Sequence, residues 1–158
     1  MRLDKILGLI KNCKFGIHDL SRTEIDPKTK LPRFNMPLEL GIFLGAKRFG
    51  GKRHKSKNSL VTDRDSYRYR EFISDIAGQD IGVHDDDPAT AIKRVRNWLQ
   101  KSSGSKTIPG GAYIVGRYEA FTAALPAMCK VLHLAPNELT FPDFTNLVAE
   151  WLKQNAVR

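Results

Sequence analysis

Over its first hundred residues the chain alternates short strand-like runs with helical patterns, and few architectures can bury that alternation. Leu3, Ile6, Leu7, Leu9 and Ile10 recur near helical spacing and predict a helix over 3–13. Residues 14–20 read as a strand ending at Asp19-Leu20-Ser21, followed by a polar loop with Asp26-Pro27 and Leu31-Pro32. A helix is expected over 36–47, with Asn35 as its N-cap and Pro37 in the first turn. A second strand covers 59–62, and Asp65 then caps a helix running to Ala77, with Gly78 as its stop. Residues 80–84 make a third strand. Asp87-Pro88 opens a helix to about Lys101, with Ile92, Val95, Trp98 and Leu99 on one face. The expected fold is α/β, a three-layer parallel sheet covered on both faces.

Residues 102–111, rich in Ser and Gly, read as a linker that separates a core over 1–101 from a helical region over 112–158. In that region one helix is expected over 112–133, kinked at Pro126, and another over 141–155. Thr140 and Asp143 stand as a capping box whose acid is one methylene short. Helices of this kind suit a homo-oligomer or a partner protein. A doubly wound sheet ordinarily begins with a central strand, whereas this chain begins with a helix. The central strand is therefore expected to be missing, supplied by another chain, or lost through truncation at the N-terminus.

The 41% hydrophobic content supports a sizeable core, and no apolar run approaches the ~18 residues of a membrane span. Cys13 and Cys129 lack any CxxC or His/Cys company, so structural thiols, no metal site and a cytoplasmic location are expected. A net charge of +9 favours anionic partners, among them nucleotides, nucleic acid and acidic proteins.

Glu39 is the only charge between Phe34 and Ala46, a stretch that reads as a helix buried on nearly every side. A carboxylate buried there needs a reason. Ligands of open parallel sheets bind outside the carboxyl ends of the strands, where Asp19 and Ser21 are expected. The loop after them delivers the chain to Asn35 at a helix N-terminus, which attracts phosphate or carboxylate. Asp19, Ser21, Asn35 and Glu39 are thus expected on one rim, as acceptors for ribose hydroxyls plus a partly buried carboxylate. That set suits cleavage of an N-glycosidic bond, because a fixed negative charge stabilises or attacks the oxocarbenium-like centre. The plain alternative is that Glu39 offsets its own helix N-terminus or pairs with a base, while Asp19 and Ser21 cap a turn. His84, ending the third strand on the ligand side, is expected among the nucleotide-binding residues and is the histidine placed for proton transfer. His18 reads as core and His54 as part of a basic loop.

The run from Lys47 to Lys57 holds Lys47, Arg48, Lys52, Arg53, Lys55 and Lys57 with no acid. It reads as an anion or nucleic-acid surface acting through phosphates, or as a solvated connection. Asp85-Asp86-Asp87 reads as an acidic turn, with Asp87 needed as a cap. Trp98, Trp151, Phe141 and Phe144 read as core or as contacts of the tail helices.

The run IHDLSR…LPRFNMPLELGIFLGAKRFGGKRH resembles nucleotide-binding proteins with a Toll/interleukin-receptor-like (TIR-like) domain, and the wider group that includes nucleoside 2-deoxyribosyltransferases. SLVTDRDSYRYREFISDIAGQDIGVH is similar to uncharacterised bacterial proteins sharing that core. The resemblance covers about residues 3–100 and implies a Rossmann-like, flavodoxin- or TIR-like fold. It implies NAD or a related nucleotide as ligand and Glu39 as the carboxylate of NAD or nucleoside cleavage. Asp19, Ser21 and Asn35 would hold the nucleotide, and Gly41 would allow close helix packing. The chain departs from the family by lacking its first strand and ligand loop. The alternative is a non-enzymatic basic module binding nucleic acid or a partner protein.

Overall fold

Side chains alternate across a parallel sheet, so the residues of its strands sort into two faces, each needing its own cover. The computed structural model describes residues 1–76 and 81–156. They comprise α1 (Arg2–Asn12), β1 (Phe15–Asp19), α2 (Asn35–Phe49), α3 (Lys52–Lys55), β2 (Asn58–Asp63), β3 (Ile81–Val83), α4 (Pro88–Ser103), α5 (Gly111–Val131) and α6 (Phe141–Gln154). The chain is mixed α/β, with a three-stranded parallel sheet in the order β1-β2-β3.

In the register, His18 pairs with Val61 and Val61 with Ile81, while Asp19 pairs with Thr62 and Thr62 with Gly82. The first row belongs to a face covered by α2, whose Phe43 ring lies edge-on to His18 at 5.3 Å. Leu20, Leu40, Val61, Tyr69 and Ile76 form the core on that side. The second row belongs to the opposite face, where Trp98 of α4 meets Phe15 edge-on at 5.7 Å. Asp87 caps α4 as expected, accepting from the Ala89 and Thr90 amides at 3.3 and 2.8 Å.

Several local expectations are corrected. Phe34, not Asn35, is the N-cap of α2. Pro37 has no N–H to donate, so the Leu38 amide makes the first helical bond, to the Phe34 carbonyl, and Asn35 falls inside the first turn. Nor is α2 buried on nearly every side. Leu40 and Phe43 are buried while Leu38 and Phe49 are exposed, because a helix laid on one sheet face hides only one stripe. In place of a helix over 65–77 there are two single 3₁₀ turns, Arg68–Glu71 and Ser74–Ile76. Tyr67 adopts φ 63°, which breaks helical continuity, and the shorter turns aim Tyr69 and Ile76 into the core. Ala77, Gly78 and Asp80 lie outside the described residues.

The structure divides into two compact units, 1–108 and 109–158. Ser102 and Ser103, read as linker, still belong to α4, which ends at Gly104 in the left-handed conformation. In the second unit α5 runs through Pro126, and α6 opens with the expected capping box. There the Thr140 amide donates to Asp143 Oδ2 at 3.0 Å and the Asp143 amide to Thr140 Oγ1 at 3.3 Å. Phe121 packs edge-on against Phe144 and Trp151. Phe141, expected as core or contact, is 80% exposed, one turn beyond the Phe144–Leu147–Trp151 stripe that does the packing.

Candidate functional site

The chain leaves β2 toward the Leu20–Tyr69 side of the sheet and leaves β3 toward α4 on the other side. The three parallel strands run in sequential order, and their carboxyl ends form one rim of the sheet. Asp19, Asp63 and His84 stand at those three ends.

Asp19 is the centre of a small polar cluster. Its Oδ2 accepts the Ser21 hydroxyl at 2.8 Å, and its Oδ1 accepts the Ser21 amide at 3.1 Å. His84 Nε2 lies 3.2 Å from the same Oδ1. Ser21 and His84 are buried, whereas the Asp19 side chain is 48% exposed and open to a ligand. Burial by itself would raise the Asp19 carboxyl. The Ser21 amide and hydroxyl, followed by His84, outweigh it and hold the group below its ordinary value.

Asp63 was not singled out from the sequence, yet it is fully buried. Its Oδ1 accepts Arg68 Nη2 at 2.7 Å, Arg68 Nε at 2.9 Å and the Arg64 amide at 2.8 Å. Arg68 Nη2 also donates to the Leu20 carbonyl and to Thr23 Oγ1. This pair ties the loops after β1 and β2 together at the carboxyl end of the sheet. The available signal was an acid ending the central strand with an arginine five residues on.

Asn35 and Glu39 do not join the Asp19 cluster. Asn35 is exposed at the start of α2. Glu39 is half-buried one turn further in, with no hydrogen bond or ion pair among the described residues. Its helix covers the His18 face, while strand alternation turns Asp19 to the opposite face.

Of the basic run, Lys47, Arg48, Lys52, Arg53 and Lys55 are exposed, and none pairs with an acid among the described residues. Phe49 in their midst is 88% exposed. Lys57 is a correction: it is 3% exposed and belongs to no surface. Its ammonium donates to the carbonyls of Ile10 and Cys13, where the end of α1 leaves acceptors unpaired. No group of three or more His, Cys, Asp or Glu side chains among the described residues is arranged to hold a metal.

A cavity of about 450 Å³ lies between α4 and the sheet face that carries Asp19. Leu60 and Gly82 form its floor, and Lys93, Arg94, Trp98 and Lys101 its wall. Sequence reasoning took Trp98 as core and passed over the cations. Lys93, Arg94 and Lys101 bracketing Trp98 at helical spacing, on a capped helix, are the legible signal. A second cavity, of about 600 Å³, lies within the second unit and is lined by residues of α5 and α6 with Leu132 and Leu134 between them.

The chain matches no protein-family model, no curated protein and no solved structure.

Proposed function

We propose that the protein binds a ribonucleotide, NAD or a relative, at the carboxyl ends of its parallel strands in the manner of Rossmann-like and TIR-like domains. The observation that carries this is the half-exposed Asp19 carboxylate, held at the end of β1 by Ser21 and His84. A fixed, ionised acceptor at a strand end suits the paired hydroxyls of a ribose, and the basic character of the chain suits the phosphates. Calorimetric titration with NAD and with AMP tests it. Asp19→Asn should weaken both, and equal affinity for the ribo and 2′,3′-dideoxy forms would refute the assignment.

Cleavage of the N-glycosidic bond is the second step of the same proposal. Water adds to the anomeric carbon as the base departs with the bond's electron pair; the water's proton goes to solvent when nicotinamide leaves neutral, or to the departing base of a nucleoside, and Glu39 supplies the stabilising charge. Its unpaired, half-buried state supports this, but a ligand held on Asp19 reaches it only over the top of the sheet. Chromatography of base released from NAD and nucleosides, by the protein and by Glu39→Gln, decides the matter. No release from the unmodified protein removes cleavage and leaves binding standing.

The unpaired cations from Lys47 to Lys55 around exposed Phe49 favour a second reading, binding of single-stranded nucleic acid through phosphate contacts and stacking. Its mark is oligonucleotide affinity that falls steeply with salt and drops with Phe49→Ala.

A further inference from the structure

We propose that the cavity between α4 and the sheet is a binding site for a small planar organic phosphate. Resting on the nucleotide reading above, it is also the place where the base and phosphate of that nucleotide lie.

The lining sets the chemistry. Three cationic side chains, Lys93, Arg94 and Lys101, face the cavity together with the Trp98 indole, and no carboxylate among the described residues lines it. Arg94 is fixed, because its Nε donates to the Val83 carbonyl at 2.8 Å. Lys93 and Lys101 form no ion pair among the described residues, although Lys93 also acts on the Asp87 carboxylate at the head of the helix. Cations without acidic partners around a concave space select an anion. The indole beside an apolar floor of Leu60 and Gly82 selects one with a flat apolar part. At about 450 Å³ the space is within the ~300–1,000 Å³ range of small-ligand sites.

The register links this cavity to Asp19. Asp19, Thr62 and Gly82 stand in one row across the sheet, on the same face. Neighbouring strands are ~4.8 Å apart, so Asp19 and the cavity floor at Gly82 are separated by only about 10 Å. A nucleotide with its ribose on Asp19 would extend along this row, past Thr62, to place its charged end on Lys93 and Arg94. The side chain at position 82 matters as well: a Cβ there would meet the Arg94 Cδ at 3.4 Å and take up part of the floor.

Phenyl phosphate separates the cavity from the ribose site, because it has a ring and a phosphate but no sugar. It is titrated into the full chain with the Trp98 indole N–H followed by NMR, assigned through Trp98→Phe. Saturable movement of that signal is expected. Lys93→Gln with Lys101→Gln, both solvent-exposed at the cavity wall on a capped helix, should weaken binding about tenfold or more. Lys52→Gln should change nothing. No movement of the indole signal, or movement indifferent to the double substitution, overturns the cavity proposal. So does inorganic phosphate binding as tightly as phenyl phosphate. With AMP the two readings part: affinity lost in the Lys93/Lys101 variant but unaltered by Asp19→Asn keeps the cavity and refutes the ribose site. Affinity lost only by Asp19→Asn refutes the cavity and keeps the ribose site.

Discussion

Arg68 sets two nitrogens against a single oxygen of Asp63, with Nη2 at 2.7 Å and Nε at 2.9 Å from Oδ1. The other oxygen, Oδ2, is buried with no partner among the described residues. The guanidinium is thus the main compensation for a fully buried carboxylate, and it also carries the Leu20 carbonyl and Thr23. Arg68→Met leaves the acid uncompensated and should cost about 3–5 kcal/mol. Replacing both, Asp63→Leu with Arg68→Met, should recover much of that loss, since a packed apolar pair needs no counter-charge. Denaturant melts of the two singles and the double give the coupling; strict additivity would show that the pair does not act as a unit.

Lys57 divides the basic run by function. Its ammonium is buried against the end of α1 and sits 5.0 Å from the Phe43 ring centroid, and burial pushes its pKa down. Lys57→Met keeps the stem but removes the donor from two helix-end carbonyls, at a cost of about 1–3 kcal/mol. Lys55→Ala, at an exposed position, should change stability by less than ~0.5 kcal/mol. If oligonucleotides bind here, Lys55→Ala should reduce the slope of log affinity against log salt by roughly one, and Lys57→Met should not. Urea melts and salt titrations check both halves.

The same residue shows what the sequence could convey. Alternation and cap chemistry exposed the strands, Asp87 and the Thr140–Asp143 box, because those signals are local: each residue speaks to neighbours within one turn. Lys57 looked like its basic neighbours because its partners, Ile10 and Cys13, lie more than forty positions away. Asp65 imitated a cap, but the φ of Tyr67 and the pull of Arg68 toward Asp63 were decided by tertiary contacts. Glu39 stood out by contrast with its apolar neighbours, a contrast that overstated how much of α2 the sheet would hide. Asp19, Ser21 and His84 all lie near strand ends; the Asp19–Ser21 bonds are local, but the contact of His84 with Asp19 depends on β3 standing next to β2, a topological fact that no local pattern carries.

His18 should give stability its pH dependence near neutrality. Its ring is buried with neither nitrogen hydrogen-bonded among the described residues, and burial lowers its pKa from the ordinary 6.5. The unfolded chain takes up a proton near 6.5 while the folded protein does not. Stability therefore falls as pH drops from 6.5 toward the lowered folded value and levels off below it, with a slope of at most about 1.4 kcal/mol per pH unit. His18→Leu should flatten that decline, and an unchanged profile would refute the assignment. The site is also tight. A Cβ on Gly16 would lie 2.8 Å from both His18 Nε2 and Phe43 Cε2, so Gly16→Ala should cost about 1–3 kcal/mol.

Asp19 acts in a lower window and with the sign of an acid. Its folded pKa lies below the ordinary 3.8. The carboxylate thus contributes stability that is present above that value and lost as pH falls through the lowered one. Ser21→Ala removes the hydroxyl donor at 2.8 Å but keeps the amide, so the carboxyl should titrate closer to 3.8, and the acid-side loss should become smaller and level off at a higher pH. The same substitution affects any ribose bound there, because only the ionised group accepts from two hydroxyls at once. Following the Asp19 carboxyl carbon by NMR, with AMP affinity measured over the same range, tests both consequences together. If affinity tracks the ionisation of Asp19 in the protein and shifts with it in Ser21→Ala, the carboxylate is the ligand contact. If affinity ignores that titration while the carboxyl carbon moves, Ser21 and His84 hold Asp19 only to close the turn after β1.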